Sequence, residues 1–275
     1  MVDLINAIKL KQQAWAVELG IETDKDGYCR NLEDNLFQPP SEASRRDFNE
    51  GDGSELGKEG KRGKMQALHS SSALACNFFD YWRNNDLKPL AKALGISGEL
   101  RGLSFEKKFP TGLRGTSPNL DVVLYEVDGT VFAVESKFTE WMGKSGEKAS
   151  FSSSYFPNGR SLWGDRGLNG CQELAEDLRH KRVQFELLDA AQLLKHMLGL
   201  SRCKRPWKLL CLWYGPPGPM TDQHMRELNL FSERIGSNSS RFEAVTYQKL
   251  FKGLCGELSD DHMEWQSYMR DRYFE

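Results

Sequence analysis

The chain has 275 residues, with 39% hydrophobic and 28% charged side chains and a formal net charge of −2. That length supports one large domain with a sizeable core, with no need of disulfide staples, and the composition excludes a disordered or collagen-like chain. No apolar run approaches the ~18 residues of a membrane span, and residues 1–11 carry no secretory leader, so a cytoplasmic location is expected.

In chain order, residues 4–19 place Leu4, Ile5, Ile8, Ala14 and Val17 at helical spacing and stop at Gly20. Residues 21–64 are polar and rich in Gly, Asp and Pro. They read as a loop-rich arm, so the expected organisation is a single domain over 1–275 in which 1–65 form a helical and loop arm. Ser70, Ser71 and Ser72 offer a cap to a buried helix through Trp82. A short helix near 87–94 begins around Pro89 and stops at Gly95. The pattern changes from about Leu103, and residues 121–127 and 130–138 form two β-rich runs around Asp128-Gly129. Residues 139–170 lack periodicity but hold Trp141, Phe151, Tyr155, Phe156 and Trp163, and a loop of that length is usually functional. A helix over 171–199, broken once, precedes an apolar strand at 207–214. A helix within 220–234, a strand within 241–249 and a helix at 261–273 complete the chain. Helices before, between and after strands give a layered α/β or α+β fold.

The six cysteines form no Cys-x-x-Cys and pair with no His at zinc spacing, which suggests reduced thiols. No Walker A loop and no Gly-x-Ser-x-Gly elbow is present. The chemistry is carried instead by Pro118-Asn-Leu-Asp121, thirteen further residues, and Glu135-Ser-Lys137. Glu135 and Lys137 end an otherwise apolar strand and share one face by the two-residue period. A two-residue Asp128-Gly129 turn would set Asp121 opposite Ser136, on the wrong side. A three-residue loop, Val127-Asp128-Gly129 with Gly129 left-handed, sets Asp121 opposite Glu135. Facing carboxylates repel unless a cation lies between them, and hard oxygen donors suit Mg²⁺ or Mn²⁺. We therefore expect the bulged loop. Such a set suits phosphodiester hydrolysis, with Lys137 as base or as electrostatic clamp.

The [Asp/Glu]-x-Lys triplet alone is uninformative, since it also occurs at Glu59, Asp86 and Glu106. Only Glu135-Ser-Lys137 closes an apolar strand behind a second strand that begins with Asp. In that context the pattern resembles the PD-(D/E)XK nuclease superfamily, nearest its bacterial restriction-endonuclease-like members, over roughly residues 100–215. One departure is that Pro118 is separated from Asp121 by two residues instead of adjoining it. The resemblance implies an α/β restriction-endonuclease-like core, a central mixed β-sheet flanked by helices, with helical N- and C-terminal additions. It implies divalent-metal-dependent cleavage of DNA, less often RNA. Asp121 and Glu135 match its metal carboxylates and Lys137 its catalytic lysine. Glu55 is the candidate for an added acidic ligand, and Gln192 for the glutamine of a following helix.

Basic clusters at 58–64, 107–114, 180–182 and 202–208 would track a phosphate backbone if they surround the site, and otherwise are solvated faces. His196, close to Gln192, reads as a surface or cap residue. Three alternatives stay open: a salt-bridged strand end with no chemistry, a nuclease-fold module that binds nucleic acid without cutting it, and a two-carboxylate glycosidase built on Asp121 and Glu135. The partners expected are DNA and a possible second copy of the chain, with no membrane.

Overall fold

A computed structural model of the chain describes residues 4–51, 53–58, 61–115, 117–143 and 151–275. Glu59 of one uninformative triplet and residues 144–150 of the long loop lie outside the described residues.

Helix α1 runs Leu4–Glu18, α2 Glu42–Glu50, α3 Ser71–Phe79 and α4 Lys88–Ala93. Three strands follow: β1 Leu100–Lys108, β2 Asn119–Glu126 and β3 Val131–Lys137. Helices α5 (Asn169–Arg179) and α6 (Ala190–Leu200) lead to β4 (Trp207–Trp213), and α7 (Pro219–Arg234) leads to β5 (Phe242–Thr246). Helices α8 (Tyr247–Cys255) and α9 (Met263–Met269) precede a single π-helical turn, Arg270–Phe274. The expected break in the helix over 171–199 falls at residues 180–189.

The five strands lie in the order β1-β2-β3-β4-β5. The first three form an antiparallel meander, and β3, β4 and β5 are parallel. This is a mixed sheet flanked by helices, an α/β architecture compatible with a restriction-endonuclease-like core. The parallel steps require crossovers, which α5–α6 and α7 supply. Central strands buried on both faces are nearly continuous apolar runs, as in Leu209-Leu210-Cys211-Leu212-Trp213. Among the described residues, no helix is long and apolar enough to cross a membrane.

One local departure has a clear cause. Residues 42–50, expected to be loop, form α2, whose start is fixed by Ser41 accepting from the Ser44 amide. Phe48 is the only large apolar residue of that helix, and its ring stacks on Phe105 of β1 at 4.9 Å, so tertiary contact supplies what the local pattern lacks. At α3 the cap is Ser70, whose hydroxyl accepts from the Ala73 amide. All seven residues from Ala73 to Phe79 are buried.

The arm is fastened to the end of the chain by Arg272, which is fully buried. Its guanidinium donates to the Asn35 carbonyl at 2.8 Å and to Gln12 Oε1 at 3.1 Å, and lies 4.2 Å from the centre of the Trp15 ring. Among the described residues no carboxylate pairs with it, so neutral oxygens and ring faces carry the whole solvation of a buried cation. Replacing Arg272 by alanine leaves several buried acceptors unpaired. The expected loss is about 3 kcal/mol or more of unfolding free energy, read as a lower urea midpoint.

Candidate active site

The β2–β3 hairpin sets the site. Val122 pairs with Val134 and Tyr125 with Val131, so extending the ladder one step brings Asp121 opposite Glu135. The Glu126 amide donates to the Thr130 carbonyl at 3.0 Å, and Gly129 adopts φ +95°. This is the three-residue loop with a left-handed glycine, and it gives the register that sets the two carboxylates on one face.

The neighbouring strand adds a carboxylate that the sequence reading passed over. Phe105 pairs with Val122 and Lys107 with Leu120, which leaves Glu106 opposite Asp121. Glu106, Asp121 and Glu135 therefore form a row across β1, β2 and β3. Glu106 holds φ +49°, an unfavourable value for a non-glycine residue within a strand, and one of the kind that gathers at functional sites. Asn119 Nδ2 donates to its Oε2 at 3.2 Å.

Glu135 is buried, and its two oxygens meet different cations or donors. Oε1 lies 2.6 Å from Lys137 Nζ. Oε2 lies 3.0 Å from Nε2 of His196, an electrostatic contact whose angle falls short of a hydrogen bond. The expectation that His196 is a surface or cap residue is corrected: it is 1% exposed and packs behind Glu135. Only the placement of α6 against β3 could reveal this.

Helix α6 also delivers Gln192. Asp189 caps the helix by accepting from the Gln192 amide at 2.8 Å, and Lys137 Nζ donates to Gln192 Oε1 at 3.0 Å. Asp121 is half-buried and accepts from the Ser136 amide at 2.6 Å. A cavity of about 200 Å³ opens beside Lys137 and Gln192, with Trp141 and His224 on its wall.

Glu55 stands to one side of the row. Ser72 Oγ donates to its Oε2 at 2.5 Å and Lys64 Nζ lies 3.2 Å from its Oε1. Its electrostatic influence falls on Glu106. Two glycines allow this approach: a Cβ on Gly53 would collide with the Glu55 carboxylate, and one on Gly51 would stand 2.9 Å from the Glu106 Cβ.

The row divides its charge unequally. Burial, then the Glu135 charge, raises the Asp121 carboxyl well above its ordinary range. Burial opposes ionisation of Glu135, yet Lys137 and then His196 hold it down to about 2. Burial followed by the Glu55 charge pushes Glu106 up to about 7. At Lys137 burial would lower the ammonium, but the Glu135 and Asp121 charges outweigh it and raise it. The site is thus an ionised Glu135 beside a cationic Lys137, with the Asp121 and Glu106 carboxyls both shifted toward their protonated forms.

Among the described residues, no three His, Cys, Asp or Glu side chains converge as a ready-made metal shell. Mg²⁺ does not require one, because it commonly keeps several waters and takes one or two carboxylates. The all-oxygen donors of Asp121 and Glu135, which face each other across β2 and β3 on one side of the sheet, fit such a cation.

A family model described as "Restriction Endonuclease associating with ARP" matches residues 9–274. No curated protein and no solved structure matches the chain.

Proposed function

Because the chain belongs to the family of restriction endonucleases associating with ARP, we propose that it is a PD-(D/E)XK-type endonuclease that hydrolyses DNA phosphodiester bonds with Mg²⁺ or Mn²⁺. Association with ARP, in the words of that family's description, is part of the same proposal. The observation that carries the reading is the transverse row of Glu106, Asp121 and Glu135, with Lys137 two residues beyond the last of them.

In this reading Asp121 and Glu135 hold the cation, and Glu106 with Glu55 forms a neighbouring carboxylate pair able to share or extend its shell. A bound hard cation supplies Lewis-acid polarisation of the phosphoryl oxygen. The chain's own groups do the remaining work. Lys137 stays an ammonium and offsets charge gathering on the phosphoryl oxygens in the transition state. Its raised proton affinity favours this clamp role over that of a base. Gln192 aims the ammonium, and His196 steadies the far oxygen of Glu135. Asp121 must release its proton to bind the cation, so metal affinity rises with pH.

The net charge of −2 leaves duplex contact to local cations. Lys108 ends β1 two residues beyond Glu106, and Lys64 lies beside Glu55, so these lysines flank the carboxylates and suit backbone phosphates. Cutting both strands calls for two such centres, which makes a second copy of the chain part of the proposal.

A second reading is a nuclease-fold module that binds nucleic acid and does not cut it. It draws on the engagement of Glu135 with Lys137 and His196, which resembles a settled buried ion pair. One assay separates the two. Wild-type protein is expected to nick supercoiled plasmid in Mg²⁺ or Mn²⁺ and to stop in excess chelator. Duplex binding without nicking in either metal would leave the binding module.

A further inference from the structure

The sheet face opposite the carboxylate row is incompletely covered. The two-residue period puts Phe132 and Val134 on that face, with Leu210 and Val245 beside them on β4 and β5. Helices α4 and α8 lie over it but leave an open cavity of about 680 Å³, a volume typical of small-molecule sites. Phe132 and Val245 are only half-buried there, although the sheet is otherwise a core element. The opening follows from the sequence of α8. Gly253 faces the cavity, and a Cβ added to it would meet nothing within 4 Å. A larger residue at this helical position would close the gap and favour the helix.

The rim carries one dominant sign. Lys92, Lys208, Lys249 and Lys252 surround the cavity, with Glu243 the acidic lining residue. Lys92 is paired with Glu257 at 2.6 Å. Lys208 extends over the Phe132 ring at 5.8 Å. Among the described residues, no carboxylate forms a salt bridge with Lys208, Lys249 or Lys252. The floor, by contrast, presents aliphatic and aromatic carbon from Leu124, Phe132, Val134, Leu209, Leu210 and Val245, with Glu243 at its β5 edge.

From this pairing of an apolar floor with a lysine rim we propose a ligand site for a single-tailed amphipathic anion, a hydrocarbon chain ending in a carboxylate or phosphate. The floor selects the tail. An extended peptide laid there would bury amides without partners, and a nucleobase would find nothing to read its edges. A hydrocarbon chain has neither need, and burying it releases ordered water. The lysines select the head, since an anion at the mouth meets at least three cations that lack a carboxylate partner. The site lies on the face opposite Glu135, and none of its residues belongs to the proposed nuclease centre.

Laurate is the probe, titrated calorimetrically into the full-length chain below its micelle threshold. Wild type is expected to bind one equivalent. Gly253→Trp sends a large side chain into the cavity from a position where an added Cβ meets nothing within 4 Å, and K208E/K249E reverses the rim. Each is expected to weaken laurate binding about tenfold or more while the thermal midpoint and plasmid nicking stay at wild-type levels. An uncharged dodecyl maltoside is expected to compete poorly. Absence of binding at about 1 mM laurate overturns the proposal. So does equal binding by all three proteins, or uptake of several equivalents, which is adventitious adsorption only. Loss of binding in Gly253→Trp with full binding in K208E/K249E removes the requirement for an anion and overturns it as well.

Discussion

Replacing Lys137 by methionine is expected to lower plasmid nicking by about 10²–10³-fold, the loss typical of removing one preorganised transition-state donor. Methionine keeps most of the length and apolar stem of the side chain and removes only the charge and its donors. Lys137 is held as an ammonium between Glu135 at 2.6 Å and Gln192 at 3.0 Å, so its charge is in place before substrate arrives. A preorganised charge at a water-poor site needs no reorganisation during reaction. Duplex affinity, measured in Ca²⁺ so that no turnover intervenes, is expected to change by less than about threefold, because one short-range cation contributes little to a multi-phosphate contact. The substitution also leaves Glu135 with His196 as its remaining close partner, so a fall in stability of about 3 kcal/mol accompanies it, and nicking is compared well below the unfolding transition of the variant. Gln192→Leu removes only the group that orients the amine and is expected to cost about tenfold. Undiminished nicking by Lys137→Met would remove the catalytic role of this lysine.

The second large effect concerns protons. The Glu106 carboxyl is raised from 4.5 to about 7 by burial and then by the Glu55 charge. Between those two values the folded chain keeps a proton that the unfolded chain has lost. The stabilising contribution is therefore complete below about pH 4.5 and disappears as pH rises through about 7. Glu106→Gln is a permanent mimic of the protonated state. In chelator its unfolding free energy is expected to match wild type near pH 4 and to exceed it by up to about 3 kcal/mol at pH 8. Mn²⁺ is expected to narrow that gap at pH 8, because a cation stabilises ionised Glu106 and has less to offer a glutamine. Urea titrations of both proteins at the two pH values, with and without Mn²⁺, test this. Parallel pH curves for wild type and variant would show that Glu106 does not bear the strain of the charge cluster.

Much of the fold can be read in the sequence where local and tertiary preferences agree. The Val127-Asp128-Gly129 loop is one case, because the demand for facing carboxylates and the availability of a left-handed glycine select the same register. The apolar strand at 207–213 and the Ser70 cap are others. The reading fails where one contact between distant segments decides. Helix α2 has Phe48 alone to mark its buried face, and only the ring of Phe105 makes that face visible. Glu106 sits in a lysine-rich run, Glu106-Lys107-Lys108, that looks like a solvated strand end. Its alignment with Asp121 depends on the β1–β2 pairing and on the approach of the Gly51–Glu55 segment, neither of which local periodicity encodes. His196 is similar: spacing along α6 cannot say that the helix lies against the charged end of β3.

The buried Arg272 reaches further than its own helix. It binds Asn35, whose amide donates to the Met65 and Ala67 carbonyls, and the Met65 amide donates to the Glu55 carbonyl at 3.0 Å. A polar relay of four residues thus joins segments more than 200 positions apart in sequence to the acidic group beside β1. Contacts of such separation close late in folding, because the loop entropy must be overcome before they form. Amide hydrogens at 65–67 and at 270–274 are thus expected to exchange with deuterium as one cooperative unit, opening together and more readily than those of β3 and β4.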